Sequence, residues 1–526
     1  MNAVAIRPIR TMRPMRLLGV ALLALWLAGC ASLPENAAPT AAPAVQDLHE
    51  TSLAAIAADS TPPAKRQLSG LRLLPGGDHA LDARLALARH AERRLDVQYY
   101  VLANDTAGRQ FVRALRDAAL RGVRVRLLLD DLHSADVAAL LVGLAAHEGV
   151  EVRLFNPLPL RTGSPMARLL LNPSQFEQLQ RRMHNKLFIA DGHVAITGGR
   201  NIGDEYFMRA SAANFVDMDI LCTGAVLPAL REEFERYWQS AHAYALQQLQ
   251  PADAEPAVLR RRLDARLRDL PPPAAPTVRD PLDHGAVGRQ LDNGHLELLF
   301  ARVQVLADAP DKVLRAATLE ASALGQGLGR LRQARSEVVI VSPYFIPGER
   351  GMAMLREATA ARVRVSVLTN SMAATDEPVV HQAYARYRAA MLDLGVIIHE
   401  LSPGLTRKTG VFGDFRSSDG RLHAKVAVAD RRWVLLGSMN MDGRSAHANT
   451  ELGLLIDSPE LAWELRSLMQ RAHASSFYRV RRTGPDIEWV AREGLAERVH
   501  HAEPGAGLGL HVKSSLLSLF VDEALL

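Results

Sequence analysis

Cysteine and lysine are both scarce in this chain of 526 residues. Only two cysteines are present, Cys30 and Cys222, so a framework of several disulfides cannot hold the fold together. Lysine occurs at six positions, although lysine and arginine together number 62. The length is sufficient for two or three domains, each with an apolar core of its own.

A strong excess of positive charge is also missing once the first residues are set aside. Residues 1–29 contain four arginines and no acidic residue, and without them the formal net charge falls from +5 to +1. An enzyme that tracks nucleic acid is expected to carry a basic groove for the phosphates. The composition therefore disfavours nucleic acid as a partner, although a local basic patch stays open.

The start of the chain has the features of a targeting signal. Four arginines precede an apolar run at 17–27, which is shorter than a membrane-spanning helix requires. The run ends at Cys30 in a way that resembles a bacterial lipoprotein signal. This predicts a signal peptide over 1–29, lipidation of Cys30 and an anchor on the periplasmic side of the cell envelope, with Ala31 favouring the outer membrane. A plain secretory signal and an uncleaved anchor are the alternatives. If Cys30 is lipidated, Cys222 has no partner for an intrachain disulfide.

Two of the six lysines stand in a pattern that occurs twice. His184-Asn185-Lys186 is followed by Asp191, and His423-Ala424-Lys425 is followed by Asp430. Corresponding parts of the two copies lie about 240 residues apart, which indicates a duplicated domain and not a short repeat. Other residues share this offset: Asn201 and Asn440 each follow their histidine by 17 residues, and Asp217 and Glu451 occupy equivalent positions further on.

The duplication and the local composition divide the chain into five segments. They are a signal peptide at 1–29, a flexible Ala/Pro-rich tether at 30–69, a first domain at 70–245, an irregular linker at 246–292 and a second domain at 293–526. Within each copy strands alternate with helices, as in the predicted strand 95–102, helix 107–121 and strand 123–129. This alternation predicts two α/β sandwich domains with mainly parallel sheets.

Each motif is expected to place its histidine and lysine on one face of a strand, because side chains two residues apart project to the same side. The aspartate that follows predicts a two-residue hairpin turn. The returning strand would then pair residues across the hairpin as follows: Gly199 with His184, and Ser438 with His423, with Asn201 and Asn440 one diagonal away.

Two such surfaces that face each other across a pseudo-two-fold axis predict a single site for a phosphodiester. The lysines and asparagines would bind the non-bridging oxygens. One histidine would attack phosphorus while the other protonates the leaving alkoxide, with Asp217 and Glu451 orienting the imidazoles. For Asp191 and Asp430 two roles stay open, a turn residue or a direct catalytic group. The scheme requires no metal ion and no cofactor.

The paired motifs, with Gly-Gly-Arg-Asn at 198–201 and Gly-Ser-Met-Asn at 437–440, resemble the phospholipase D superfamily. The resemblance implies a covalent phosphohistidine on His184, with His423 as acid and base, and transfer of a phosphatidyl group to water or to an alcohol. It covers about residues 70–245 and 293–480. Gly199 stands where the second copy has Ser438, so a hydroxyl contribution at this position is one-sided.

Further segments, such as 124–131 (RVRLLLDD) and 198–206 (GGRNIGDEY), are similar to the bacterial cardiolipin synthases. This similarity implies a phosphatidyltransferase that acts on membrane phospholipids, with phosphatidylglycerol as a substrate and phosphatidylethanolamine as a second candidate. The alternatives are a hydrolytic phospholipase D that releases phosphatidic acid, a nuclease, and a lipid-binding module that has lost catalysis. The lipid tether and the near-neutral mature charge disfavour a nuclease, and two complete motifs disfavour a module without activity.

Overall fold

The computed structural model describes residues 33–36, 50–161, 176–473, 475–493 and 496–505. The predicted signal peptide, Cys30 and much of the predicted tether lie outside the described residues. The described chain is a mixed α/β protein with one large twisted sheet and a separate pair of strands. None of its helices combines the length and the apolar content needed to cross a membrane.

The strands are numbered in chain order. They are β1 Ser69–Leu74, β2 Arg94–Tyr99, β3 Arg124–Asp130, β4 Val150–Phe155, β5 Leu187–Ala190, β6 Val194–Gly198, β7 Ala213–Val216, β8 Asp219–Gly224, β9 Ala243–Ala245, β10 Leu299–Ala307, β11 Glu337–Val341, β12 Arg364–Asn370, β13 Ile397–Leu401, β14 Asp419–Leu422, β15 Val426–Ala429, β16 Trp433–Gly437, β17 Leu452–Asp457, β18 Phe477–Thr483, β19 Asp486–Glu493 and β20 Ala496–His500.

The α-helices are numbered in the same way. They are α1 Ser52–Asp59, α2 Gly77–His90, α3 Thr106–Leu120, α4 Ala138–Ala145, α5 Phe176–Gln180, α6 Leu227–Trp238, α7 Leu246–Leu249, α8 Pro256–Leu267, α9 Val287–Asp292, α10 Ala323–Leu331, α11 Gly348–Ala360, α12 Pro378–Asp393, α13 Pro403–Thr409, α14 Gly443–His447 and α15 Pro459–His473.

The same order of strand pairings occurs twice along the chain. In residues 69–245, here the N-terminal half, the order is β1-β8-β6-β5-β2-β3-β4-β9. In residues 299–500, the C-terminal half, it is β10-β17-β16-β15-β11-β12-β13-β18-β19-β20. Antiparallel pairing of β1 with β10 joins the halves into one sheet.

The prediction of mainly parallel sheets is wrong. Within the large sheet, parallel pairing of the described strands is confined to β2-β3-β4 and to β11-β12-β13, where the crossover helices α3, α4, α11 and α12 return the chain. Its other pairings are antiparallel because tight hairpins such as β5-β6 and β15-β16 reverse the chain directly. The short pair β7 and β14 is parallel and takes one strand from each half.

Both motif hairpins have a three-residue turn in place of the predicted two. Ala190 pairs with Val194, and Ala429 pairs with Trp433. Asp191 takes the left-handed conformation with φ of 48°, which an aspartate tolerates better than most residues. The extra residue shifts the register by one, so the predicted partners Gly199 and Ser438 do not stand opposite the histidines.

The motif histidines also lie outside the regular strands. β5 begins at Leu187 and β15 at Val426, so His184 and His423 belong to the segments that enter these strands. The prediction that each histidine and lysine share a strand face is therefore wrong. The entering segments are instead held by hydrogen bonds to the other half of the molecule.

Two segments that were predicted to be irregular contain regular structure. Residues 50–69 are folded, since α1 buries Leu53 and Ile56 and the chain then enters β1. The stretch 246–292 contains α7, α8 and α9, and α8 buries Leu259 and Leu263. Composition failed here because short helices of mixed polarity become stable only when they pack on the body of the protein.

An apolar core between the halves encloses the motif segments. Met183 and Leu187 of the N-terminal half belong to the same buried cluster as Leu422 and Val426 of the C-terminal half. Each fully buried side chain of this size contributes about 1.5–3 kcal/mol through removal from water. The packing of one half on the other therefore positions both motifs together.

Candidate active site

Each motif histidine is hydrogen-bonded to a carboxylate from the opposite half. Nδ1 of His184 lies 3.0 Å from Oε2 of Glu451, and Nδ1 of His423 lies 2.6 Å from Oδ2 of Asp217. The two pairs therefore cross between the halves. Asp217 and Glu451 were expected to orient imidazoles, and the structure brings both of them to the histidines.

Backbone hydrogen bonds place the histidine segments against the strand ends of the other half. The His184 amide donates to the carbonyl of Thr450 at 2.9 Å, and the Thr450 amide donates to the carbonyl of Arg182 at 2.9 Å. The His423 amide donates to the carbonyl of Val216 at 2.8 Å. Thr450 and Val216 each lie one residue from an orienting carboxylate, so the backbone pairing also sets the distance from each imidazole to its partner.

The two motif lysines lie buried beneath the histidines. Nζ of Lys186 donates to the carbonyl of His184 at 2.6 Å, and Nζ of Lys425 donates to the carbonyl of His423 at 2.5 Å. Burial lowers the pKa of Lys186 to about 7 and that of Lys425 to about 8, against the opposing effect of nearby carboxylates. Lys186 and Lys425 also lower the pKa of His184, and Lys425 lowers that of His423, because like charges in a small volume repel each other.

The protonation states of the His–carboxylate pairs follow from burial and pairing. Burial lowers the pKa of His184 to about 4, although the charge of Glu451 opposes the shift. Burial would raise the pKa of Glu451 and of Asp217, but pairing with the imidazoles holds both below their ordinary values. At neutral pH the site therefore offers a neutral His184 beside ionised carboxylates, with Lys186 close to its own pKa of about 7.

The two orienting carboxylates have different surroundings because the residues next to them differ between the halves. Ser438 donates its hydroxyl to Glu451, which also accepts the hydroxyl of Ser445 at 2.7 Å. In the N-terminal half Gly199 stands in place of Ser438, and a Cβ there would lie 2.0 Å from Oδ1 of Asp217. The one-sided hydroxyl noted in the sequence thus reflects a space that the Asp217 carboxylate already fills.

The two motif asparagines have different surroundings. Oδ1 of Asn201 accepts from the Val101 amide at 3.2 Å, and its Nδ2 donates to the Tyr206 hydroxyl at 3.0 Å. The backbone amide of Asn440 donates to Oγ of Ser445. The side-chain Oδ1 of Asn440 is buried and has no hydrogen-bond partner among the described residues. Asn440 thus leaves one side-chain polar atom unsatisfied beside the site, whereas both ends of the Asn201 amide are bonded.

The motif aspartates lie away from the histidines. Asp191 follows the far end of β5, and its carboxylate accepts from the backbone amides of residues 92, 93 and 94. Asp430 accepts in the same way from the amides of residues 335, 336 and 337. Of the two roles left open by the sequence, this placement corresponds to the turn residue, because each carboxylate ties a hairpin to the start of the neighbouring strand.

Aromatic rings pack against both imidazoles, and the sequence argument did not assign them to the site. The Tyr100 ring centroid lies 5.3 Å from that of His184, and its hydroxyl lies 3.1 Å from Nε2 of His133. Tyr206 and Phe215 pack on His423 with centroid distances of 5.3 and 4.8 Å. Tyr100 directly follows β2, the strand that corresponds to β11 in the second copy. This position was the signal in the sequence that could have assigned Tyr100 to the site.

The geometry suits chemistry on an anionic centre. Two imidazoles and the Nζ groups of two lysines lie where the halves meet, and aromatic rings pack against both imidazoles. The same set could stabilise charge on phosphate oxygens and move protons at both the entering and the leaving oxygen. Among the described residues there is no group of three or more His, Cys, Asp or Glu side chains that could hold a metal ion.

Comparison with known proteins gives a consistent family. A family model described as "Cardiolipin synthase, PLD-like domain" matches residues 85–238 and 328–473. Cardiolipin synthase C of Escherichia coli is 36% identical over 460 residues, which cover 85% of this chain and 94% of that protein. An uncharacterized protein of Helicobacter pylori is 31% identical over 475 residues, covering 88% and 90% of the two chains.

A solved structure shares the fold. The phosphatidylserine synthase of Haemophilus influenzae matches with a TM-score of 0.55 over 87% of this chain and 95% of that chain, at 14% identity. At that level of identity the match concerns the fold alone.

Proposed function

Because the chain belongs to the phospholipase D-like cardiolipin synthase family, we propose that it is a membrane phospholipid phosphatidyltransferase that forms cardiolipin through a phosphohistidine. The observation that carries the proposal is the crossed pairing of His184 with Glu451 and of His423 with Asp217. Neither half holds a complete pair by itself. We further propose that residues 70–245 and 293–526 are duplicated domains, linked by 246–292, with one active site between them.

In the first step Nε2 of His184 forms a bond to the phosphorus of the donor lipid, and the bond from phosphorus to the head-group oxygen breaks. A hydrogen on Nδ1, donated to Glu451, leaves the Nε2 lone pair free for this attack. Burial lowers the pKa of both His184 and His423, so a neutral ring is available for the attack, and the choice of His184 follows the resemblance to the family. His423 gives its proton to the departing alkoxide, and Asp217 stabilises the imidazolium beforehand.

In the second step a hydroxyl of phosphatidylglycerol loses its proton to His423 while its oxygen attacks phosphorus. The bond between phosphorus and His184 breaks, so both histidines return to their starting states. Lys186, Lys425 and Asn440 would stabilise the charge on the non-bridging oxygens in both steps. A bound phosphate would also stabilise the charged form of the buried lysines, whose pKa values are lowered in its absence.

We also propose that the protein acts at the periplasmic face of the envelope, anchored through a lipidated Cys30 and a tether at the membrane surface. The support is the signal-like pattern of residues 1–30 in the sequence. The mass of the mature N-terminal peptide tests this part by itself. An unmodified Cys30 on the mature protein would rule out the anchor and leave the reaction untouched.

Product analysis tests the reaction. Purified full-length protein should convert phosphatidylglycerol, alone or with phosphatidylethanolamine, into cardiolipin, as resolved by lipid chromatography. Phosphatidic acid as the sole product would assign the protein as a hydrolase, the main alternative. A His184→Ala protein purified in parallel is the matched control, and mass spectrometry of the wild type quenched during turnover should find a phosphatidyl adduct on the peptide that contains His184.

A further inference from the structure

A second cavity, separate from the histidine site, lies beneath the helices of the C-terminal half. Its volume is about 490 Å³, within the range of small-molecule sites, and its wall is mostly apolar. Helices α10 and α11 form its roof, and β11 and β12 form its floor. The side chains that matter most are Leu324, Leu331, Ile340, Phe345, Leu355 and Val365. Charged side chains, among them Arg332 and Arg350, line its edge, and both are exposed.

The corresponding layer of the N-terminal half is filled by aromatic rings. Phe111 of α3 packs on Tyr99 and Phe188, with centroid distances of 6.0 and 5.9 Å. Counted from the repeated segments 124–130 and 364–370, Gly351 stands in place of Phe111, and counted from the two motifs Ala427 stands in place of Phe188. Smaller side chains at these positions leave α11 less closely packed on its sheet than α3, and α11 buries only Met352 and Leu355.

One end of the cavity is lined by residues that are next to the candidate active site in the chain. Met441, Asp442 and Gly443 line it, and they directly follow Asn440. The next helix, α14, faces both sites, because Ala446 lines the cavity while Ser445 bonds to Glu451. From there the lining continues past Phe345 and along β11 as far as Ile340 and Val338.

We propose that this cavity binds one acyl chain of the phospholipid whose phosphate lies between the histidines. An apolar wall that is left empty loses dispersion contacts, and an alkyl chain restores them without unsatisfied polar groups. The apolar lining along β11, the end lined by the residues that follow Asn440 and the charged edge all match an alkyl chain attached to a polar head. The inference rests on the proposed function, since it takes a phospholipid as the substrate.

The selectivity of the protein for acyl-chain length tests the proposed contact between the acyl chain and the cavity. Dihexanoyl and dioctanoyl phosphatidylglycerol are compared as monomers, below their critical micelle concentrations. Each methylene that moves from water into the cavity should raise kcat/KM by about fourfold, the equivalent of roughly 0.8 kcal/mol. The wild type should therefore prefer the dioctanoyl lipid by on the order of tenfold, since one of its two chains is buried.

Leu355→Phe places a larger side chain in the wall of the cavity and should reduce this preference to about twofold or less. Arg356→Phe is the matched control, because it places the same ring at the next, exposed position of α11 and should retain the preference. Ala358→Phe fills the cavity from a second position if Leu355→Phe does not fold. An unchanged chain-length preference in a folded filling variant would overturn the proposal.

Binding of dansyl-undecanoic acid to the His184→Asn variant separates this site from the reaction. The probe should gain fluorescence, and Leu355→Phe in the same background should weaken its binding at least tenfold while Arg356→Phe does not. If the wild type makes no cardiolipin but this difference appears, the proposed function fails and the acyl-chain site stands. Equal probe binding by Leu355→Phe and Arg356→Phe would overturn the site itself.

Discussion

The two halves support equivalent backbone positions with different chemistry. In the N-terminal half Asp130, at the end of β3, accepts from Arg182 and from the Met183 amide directly before His184. In the C-terminal half Asn370, at the end of β12, exchanges two hydrogen bonds with the backbone of Leu422 directly before His423. One half therefore uses a buried ion pair where the other uses a neutral amide.

A second set of equivalent buried positions shows the same contrast between charged and neutral groups. Arg84 and Arg200 surround the buried carboxylate of Asp219, with closest distances of 2.8 and 3.4 Å. In the C-terminal half Met439 stands in place of Arg200 and packs beside Gly453. Equivalent positions of the two halves therefore do not both require charge in these layers. What both halves provide is a fixed backbone before the histidine, obtained once with ions and once with neutral groups.

The histidines should give the largest difference between the halves. His184→Ala should reduce transfer by about 10⁴-fold or more, as expected for loss of a nucleophile. His423→Ala should cost about 10²–10⁴-fold, the range of general acid–base catalysis. A lipid with a p-nitrophenyl leaving group needs no protonation and should restore much of the first-step rate in His423→Ala only. Equal rescue of the two variants would reverse or remove the assigned roles.

Substitution of the two orienting carboxylates should give the next largest loss of activity. Asp217→Asn leaves the His423 imidazolium without its counter-charge and should lower kcat by about 10²-fold or more. Glu451→Gln keeps an oxygen that can accept from His184, which acts in its neutral form, and should cost about tenfold. Steady-state kinetics at matched pH compares the two. A larger loss in Glu451→Gln would indicate that His184 works as the charged partner.

Substitution of Asp130 and of Asn370, which hold the segments before the histidines, should lower the stability of the protein by different amounts. Asp130→Asn leaves the Arg182 guanidinium buried without a counter-ion and should lower the free energy of unfolding by about 3–5 kcal/mol. Adding Arg182→Met should recover most of this loss because the unpaired charge is removed. Asn370→Ala should cost about 1–3 kcal/mol for the unpaired backbone groups of Leu422. Urea titration measures all three, and an equal loss in the single and double variants would contradict the ionic account.

A pH dependence of stability that both halves share is also expected. Because burial lowers the pKa of Lys186 to about 7 and of Lys425 to about 8, the unfolded chain binds more protons between these values and about 10.5. The lysine contribution to stability should therefore rise with pH across that window and level off below pH 7. Lys186→Met should flatten the rise more than Lys425→Met. Unfolding midpoints between pH 7 and 10 provide the measurement, and a parallel slope in all three proteins would contradict this origin.

The individual strands and helices were predicted from hydrophobic periodicity and from the repeated motif. The predicted strand at 123–129 and the predicted helix at 107–121 differ from β3 and α3 by one residue at each end. The sheet type was mispredicted, because hairpins such as β5-β6 are decided by where a chain turns and pairs. The helices of 246–292 were missed because their stability comes from packing on the body of the protein.

By itself the sequence determined the inventory of the site: two histidines, two lysines and two carboxylates at matched offsets, since these residue types already imply phosphodiester chemistry. Only the tertiary structure decided which groups meet. It paired His184 with Glu451 and His423 with Asp217 across the halves, and it placed Asp191 and Asp430 in the turns. Sequence offsets cannot distinguish a carboxylate of the same half from one of the other half. That choice depends on the packing of the two halves through their shared apolar core.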